Sequence, residues 1–371
     1  LVSELPIGVR LAPVVVEFVL GVVIGPFGLQ LVEPVGFAAR LSEFGLAALF
    51  FHAGLEIDFG AIRGRPLGLA ATGWCLSVLL AAVVGTILHG AGITNGTWYV
   101  VVALTTTAIG TLLPILRDGG ELTTRFGRNV LAAGAVGEFG PIVLLSVLLS
   151  RSGTIGGQPL LLIAFVVIAA AACAVALRAR PPYLVALFAR TLHTTSQLPV
   201  RVSLLLVGSL FVLAQDFGLE IVLGAFAGGL VVGLASRGPE AEVFHQKLDA
   251  VSFGFFIPIF FVMSGAQLDL GALLHANTLV RLPLFLALFL LVRGVPALLW
   301  RRELDRSDCL ALALYSATAL PIVVAITTIG TATGLLEPEN AAALVGAGVV
   351  SVLVFPSTAI ALRARRSTAK P

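Results

Sequence analysis

Charge is scarce in this chain. Only 12% of its 371 residues are Asp, Glu, Lys or Arg, about half the share of a soluble globular domain and too few to cover a water-facing surface. The formal net charge is +3, and the basic residues lie between apolar runs instead of forming a patch interleaved with aromatics, which argues against nucleic acid as a partner. Cysteine is nearly absent. Cys75, Cys173 and Cys309 show no CxxC spacing, which removes a disulfide framework and a zinc site and leaves them as packing residues. HExxH, GxSxG and P-loop patterns are missing as well, so an enzyme has no signature here and no cofactor is expected. His52 lacks paired-His spacing and reads as a hydrogen-bonded core residue. No charged n-region with a cleavage site follows Leu1, so no signal peptide is expected.

What fills the sequence is apolar: 58% of residues are hydrophobic. Runs close to the ~20 residues that cross a bilayer core predict twelve helices near 11–25, 36–57, 67–88, 97–116, 129–149, 158–177, 202–215, 219–235, 250–268, 279–300, 308–331 and 340–362. The chain therefore reads as an all-α, multi-pass protein of the lipid bilayer. Nineteen of the 23 Lys and Arg residues fall in alternate connecting segments. Only Arg40, Arg151 and Arg281 lie in the opposite set, and Arg293 falls inside a run. The positive-inside rule then predicts a cytoplasmic C-terminus in a cell (inner) membrane. The sequence stops soon after the last run, so no soluble regulatory domain is expected.

Two segments echo each other. Phe50-Phe51-His52-Ala53-Gly54-Leu55-Glu56-Ile57-Asp58 closes the second run, and Phe260-Phe261-Val262-Met263-Ser264-Gly265-Ala266-Gln267-Leu268-Asp269 closes the ninth. The runs at 97–116 and 308–331 also match, each joining hydroxyls to a proline: Thr105, Thr106, Thr107 and Gly110 before Pro114, and Ser316 and Thr318 before Pro321. In both cases the partners are an odd number of helices apart and cross in opposite directions. Inverted repeats with interrupted helices in matching positions predict a secondary transporter with its site near the midplane.

An ionisable group inside the bilayer is costly and is a functional candidate by default. Glu138 lies ten residues beyond Arg128 in the run at 129–149, about 15 Å deep at 1.5 Å per residue. A carboxylate there can trade a proton for a hard monovalent cation, with oxygen ligands from Thr105, Thr106 and Thr107 and from carbonyls freed near Gly110 and Pro114. Arg293 lies eight residues before Arg301, about 12 Å deep, and is a candidate charge partner for Glu138. The bland alternative for both is a fixed pair that holds the bundle together. Glu17 and Glu43 are weaker candidates, more naturally packing or pathway residues. Glu56 and Asp58 read as a solvated helix end. Gly21 with Gly25, Gly224 with Gly228, and Gly229 with Gly233 give small-xxx-small spacing for close helix packing.

These residues resemble a known family, the monovalent cation:proton antiporters, in particular the bacterial Kef- and Nap-type second group. The likeness runs over nearly the whole chain, through Gly21-Val22-Val23-Ile24-Gly25-Pro26-Phe27-Gly28-Leu29, Phe50 to Asp58, the Thr-rich run at 97–116, Gly224-Ala225-Phe226-Ala227-Gly228, and Phe255-Phe256-Ile257-Pro258-Ile259-Phe260-Phe261. The resemblance implies exchange of Na⁺ or K⁺ for protons and a homodimer in which a core domain moves against a dimerisation domain. Core-type helices would lie near 67–149 and 279–362, and dimerisation-type helices near 11–57 and 202–268. Two broken helices, those at 97–116 and 308–331, would cross beside the ion site. Family members usually have thirteen helices, which places a missing one before Leu1. One departure stands out: the family usually carries a polar or acidic residue before its titrating carboxylate, and here Gly137 precedes Glu138. With one carboxylate and an arginine that stays charged, the expected exchange is one proton for one cation. A cation channel, which would need a continuous polar path or a carbonyl filter, and a carrier for another solute are the alternatives.

Overall fold

The computed structural model describes residues 13–55, 64–109, 112, 115, 116, 120–122, 124–151, 171, 187, 190–216, 221–236, 240–268, 271 and 276–367. Apart from residue 171, the run expected near 158–177 lies outside them, as do Gly110, Pro114, Glu56 and Asp58. The described residues are helical, without strands. Among the described residues, six segments are long and apolar enough to cross a membrane: Arg65–Gly90, Arg125–Leu145, Ala241–Ala266, Val280–Arg302, Arg306–Ala332 and Pro338–Arg363.

In chain order the helices are α1 (Pro13–Ile24), α2 (Gly36–Leu55), α3 (Arg65–Gly90), α4 (Thr97–Leu104), α5 (Arg125–Arg151), α6 (Leu198–Asp216), α7 (Ile221–Ala235), α8 (Ala241–Val251), α9 (Ile257–Ala266), α10 (Ala276–Phe289), α11 (Arg306–Ser316), α12 (Pro321–Ala332) and α13 (Pro338–Ser367). A π-helical turn, Ser252–Phe256, joins α8 to α9. Beyond α10 the chain runs through a second π-helical turn, Leu290–Gly294, into a 3₁₀ segment, Val295–Arg302. Mid-helix departures of this kind are uncommon and often mark functional positions; the second one carries Arg293.

The described helices form two compact units. One comprises the described residues within Leu1–Pro34, Phe59–Pro141 and Val262–Pro371, the other those within Val35–Asp58 and Ile142–Phe261, so the boundary falls inside α5 and inside α9.

In the first unit, α13 packs on α10, α11 and α12, and α4 packs on α3 and α12. Its core is rich in alanine (Ala132, Ala133, Ala135, Ala311, Ala313, Ala359), with Phe126, Trp300, Leu312 and Tyr315 as the bulk. Small side chains bring helix axes close, which a membrane bundle needs because lipid gives helices no hydrophobic drive to associate. The indole Nε1 of buried Trp300 donates to Asn129 Oδ1 at 2.9 Å, so its polar edge is satisfied. At the same end, Glu303 pairs with Arg65 and lies 3.7 Å from Arg125, which ties the starts of α3 and α5 to the 3₁₀ segment.

In the second unit α2 packs along α7, and α6 also packs on α7. A Cβ placed at Gly233 of α7 would lie 2.7 Å from the Leu55 carbonyl oxygen of α2, so the glycine spacing in α7 serves direct backbone approach. His52, 2% exposed, bonds through Nε2 to Asp249 Oδ1 at 2.8 Å, in keeping with a core histidine.

Candidate functional site

The site is built where two helices stop. Helix α4 ends at Leu104, and its last carbonyls turn to hydroxyls: Thr105 Oγ1 donates to Val102 O and Thr106 Oγ1 to Ala103 O, both at 2.8 Å. Residues 106–108 are not helical, and helical backbone resumes at Ile109. The second interruption, residues 317–320, separates α11 from α12. Pro321 opens α12 at a position where a helix has no use for the missing N–H. The segment Arg306–Ala332 that contains this break is also the most enclosed of the six, with 83% of its apolar window buried.

The two breaks satisfy each other. Ala108 N donates to Thr318 O at 2.8 Å, and Thr107 Oγ1 donates to Ser316 O at 2.5 Å. Helix α5 joins them, since Thr107 N donates to Gly137 O at 2.9 Å. Ser351 of α13 supports the other side, accepting from Ala319 N at 3.1 Å and reaching Ala319 O at 3.2 Å and Gly348 O at 2.7 Å. Unwound backbone is tolerated inside a bundle only where its polar groups are met in this way.

Opposite charges lie on the two chemical faces of this crossing. Glu138, 7% exposed, accepts from Ile109 N at 3.1 Å, where helix resumes and amide hydrogens point outward. Arg293, 4% exposed, donates to the oxygen side. Its Nε bonds Thr107 Oγ1 at 3.0 Å and Ser316 O, at the C-terminal end of α11, at 3.4 Å. Its Nη2 bonds Thr107 Oγ1 at 2.8 Å and Ala133 O at 3.2 Å, and its Nη1 bonds Ser77 Oγ at 3.2 Å. A carboxylate at an amide end and a guanidinium at a carbonyl end are each in the favourable sense of the backbone dipoles.

The hydrogen bonds of Arg293 described here go to neutral oxygens, and the two charges are linked through the 107–109 segment. Thr107 is fully engaged: a hydroxyl has one donor and two lone pairs, and here the donor goes to Ser316 O while both lone pairs face Arg293. It thus has no lone pair left for a cation while Arg293 is in place. Among the described residues, the side-chain hydrogen bonds of Thr105 and Thr106 are the two they donate. Ser316, Thr318 and Pro321 all lie at the second break; Thr318 Oγ1 donates back to Leu314 O at 3.0 Å. Glu17 is half-buried on α1, and Glu43 is exposed on α2, which belongs to the other unit. Ser77 and Ser351, both fully buried, were not picked out by the sequence. Their only signal is a lone hydroxyl in an apolar run.

A family model for the transmembrane sodium/hydrogen exchangers matches residues 5–363. The chain belongs to the sodium/hydrogen exchanger family. Among similar members, the putative Na⁺/H⁺ antiporter YjbQ of Bacillus subtilis is 29% identical over 363 residues, covering 92% of this chain and 58% of its own length. The chain thus spans less than two thirds of that relative. The Na⁺/H⁺-K⁺ antiporter GerN of Bacillus cereus is 24% identical, with 96% of this chain and 91% of GerN covered. The high-affinity Na⁺/H⁺ antiporter NhaS3 of Synechocystis is 27% identical, with 85% and 69% covered. Among solved structures, the sodium proton antiporter MjNhaP1 of Methanocaldococcus jannaschii superposes with a TM-score of 0.57 at 15% identity, covering 95% of this exchanger-family chain and 90% of MjNhaP1, a likeness of fold.

Proposed function

We propose that this chain is a secondary active antiporter that exchanges a monovalent cation, Na⁺ or K⁺, for protons, with Glu138 as the group for which the two compete. The observation that carries the reading is a buried carboxylate held on a backbone N–H at the meeting of two interrupted helices, with a buried guanidinium on the other face of the same crossing. Such interruptions expose carbonyl and amide groups that can replace an ion's water. The similar family members are Na⁺/H⁺ antiporters by name, which supports Na⁺ and H⁺ as the exchanged ions, and the name of GerN adds K⁺.

In this mechanism Glu138 binds a cation from one side and releases it when a proton arrives from the other. Competition for one carboxylate is sufficient for coupling, because each ion displaces the other. Thr105 and Thr106 lend their lone pairs as hard oxygen ligands. Arg293 holds the Thr107–Ser316 junction and supplies a fixed positive charge through the cycle. The wider expectations belong to the same proposal: twelve or thirteen membrane helices related by inverted repeats, a cytoplasmic C-terminus in the cell membrane, core-type and dimerisation-type helices, and a homodimer.

The test is proton flux in reconstituted vesicles on addition of Na⁺, K⁺ or Li⁺, for the wild type and Glu138→Gln. Cation-evoked proton movement that disappears in Glu138→Gln is the expected result. An unchanged response in the variant would remove Glu138 from the mechanism, and no response to any cation in the wild type would favour a carrier for another solute.

A further inference from the structure

Gly137 precedes the carboxylate and has no side chain, yet the space beside it is occupied. A Cβ built there would fall onto Arg293 Nη2, and it would lie 2.6 Å from Thr107 Oγ1 and 2.9 Å from Thr107 Cβ. Real Cβ atoms do not approach other heavy atoms so closely, so even alanine at this position requires a neighbour to move. Neither neighbour is free to give way. Arg293 is fixed by Thr107, Ser77, Ala133 O and Ser316 O, and Thr107 is fixed by Ser316 O and by the Gly137 carbonyl itself.

We propose that Gly137 is a positioning residue for Arg293: its missing side chain is the space that the guanidinium fills, and this fixes the second charge of the site as an arginine clasped to Thr107. The inference rests on the antiporter reading for its functional consequence and on packing alone for its structural part. The glycine contributes in two ways at once. Its carbonyl holds the Thr107 amide, and its bare α-carbon admits Nη2 to the Thr107 hydroxyl. Any side chain at 137 breaks the two-nitrogen grip on Thr107 Oγ1 and displaces the buried guanidinium. A polar side chain at this position and a fully seated Arg293 are therefore alternatives; the sequence has taken the second.

The test exploits the shape difference between arginine and lysine. Lysine carries its charge on one terminal nitrogen and has no forked Nη2, so Arg293→Lys leaves the space beside Gly137 unfilled. Cation-evoked proton flux and thermal melting are measured for the wild type, Gly137→Ala, Arg293→Lys and the double variant, as a double-mutant cycle. With Arg293 present, Gly137→Ala is expected to lower flux about tenfold or more, in line with the cost of small misplacements at reacting groups. In the Arg293→Lys background the same alanine is expected to cost less than about twofold, and melting temperature should show the same non-additivity. Equal losses in both backgrounds, or no loss in either, overturn the proposal, since the glycine would then serve Thr107 or nothing. Should the wild type show no cation-evoked flux, the antiporter reading fails, and the melting cycle alone decides whether Gly137 shapes the seat of Arg293.

Discussion

Arg293 grips the hydroxyl of Thr107 with two nitrogens, Nη2 at 2.8 Å and Nε at 3.0 Å, while the same hydroxyl donates to Ser316 O. Thr107→Val keeps the shape and removes all three bonds. It leaves a buried guanidinium and a buried carbonyl short of partners, at about 1–3 kcal/mol for each such group. The expected outcome is a loss of cation-evoked flux of about tenfold or more with a lowered melting temperature, whereas Thr107→Ser retains most of both. A valine variant with wild-type flux would show that the Arg293 grip is not needed for transport.

Ser351 supports the second break from a different helix. Ser351→Ala deprives the Ala319 amide of its acceptor and is expected to cost about 1–3 kcal/mol of stability, the penalty for a buried donor left unpaired. Thermal melting of the purified protein checks this. Because Ser351 contacts the backbone of the break instead of either charged group, transport measured well below the melting point should fall less than in Thr107→Val.

Much of this was legible in the sequence. Glu138 stands out as an acid among small residues in an apolar run, and the breaks show as hydroxyl clusters ahead of prolines. Helix bounds also came through: the run expected at 67–88 is observed as Arg65–Gly90, and that at 202–215 as Leu198–Asp216. What was illegible is the partnership of each polar group. Depth along a helix puts Arg293 level with Glu138, but it does not give the hydroxyl and carbonyl partners that Arg293 takes, and the π-turn at Leu290–Gly294 that carries Arg293 leaves no mark in a hydropathy pattern. The run at 279–300 reads as one helix and is in fact α-helix, π-turn and 3₁₀ segment in succession. Asp249 pairs with His52 across 197 residues, a contact set by tertiary packing that no local motif announces.

Gly233 offers a control in the other unit, at a contact between helices and not at a charged group. Gly233→Ala puts a Cβ 2.7 Å from Leu55 O, so α2 and α7 must shift, at about 1–3 kcal/mol by analogy with overpacked cores. The expected result is a lower melting temperature with an unchanged apparent KM for Na⁺ in the protein that remains folded. A changed KM at unchanged stability would instead implicate this helix contact in the transport cycle.

Charge balance gives the last prediction. Of the two buried charged groups at the crossing, Glu138 is the one that exchanges its ligand in the proposed cycle, while Arg293 stays charged because a guanidinium does not give up its proton in proteins. Glu138 with a cation and Glu138 with a proton then carry the same net charge, so each half of the cycle crosses the membrane with the same total. Exchange should be electroneutral. In proteoliposomes held at opposite potentials by gradients of a permeant anion such as thiocyanate, Na⁺-driven proton flux is expected to stay within about twofold, whereas moving one net charge would bias the cycle by about 2.3 kcal/mol per 100 mV. A flux that followed the imposed potential would require a second titrating group in the cycle, and the Gly137 position supplies none.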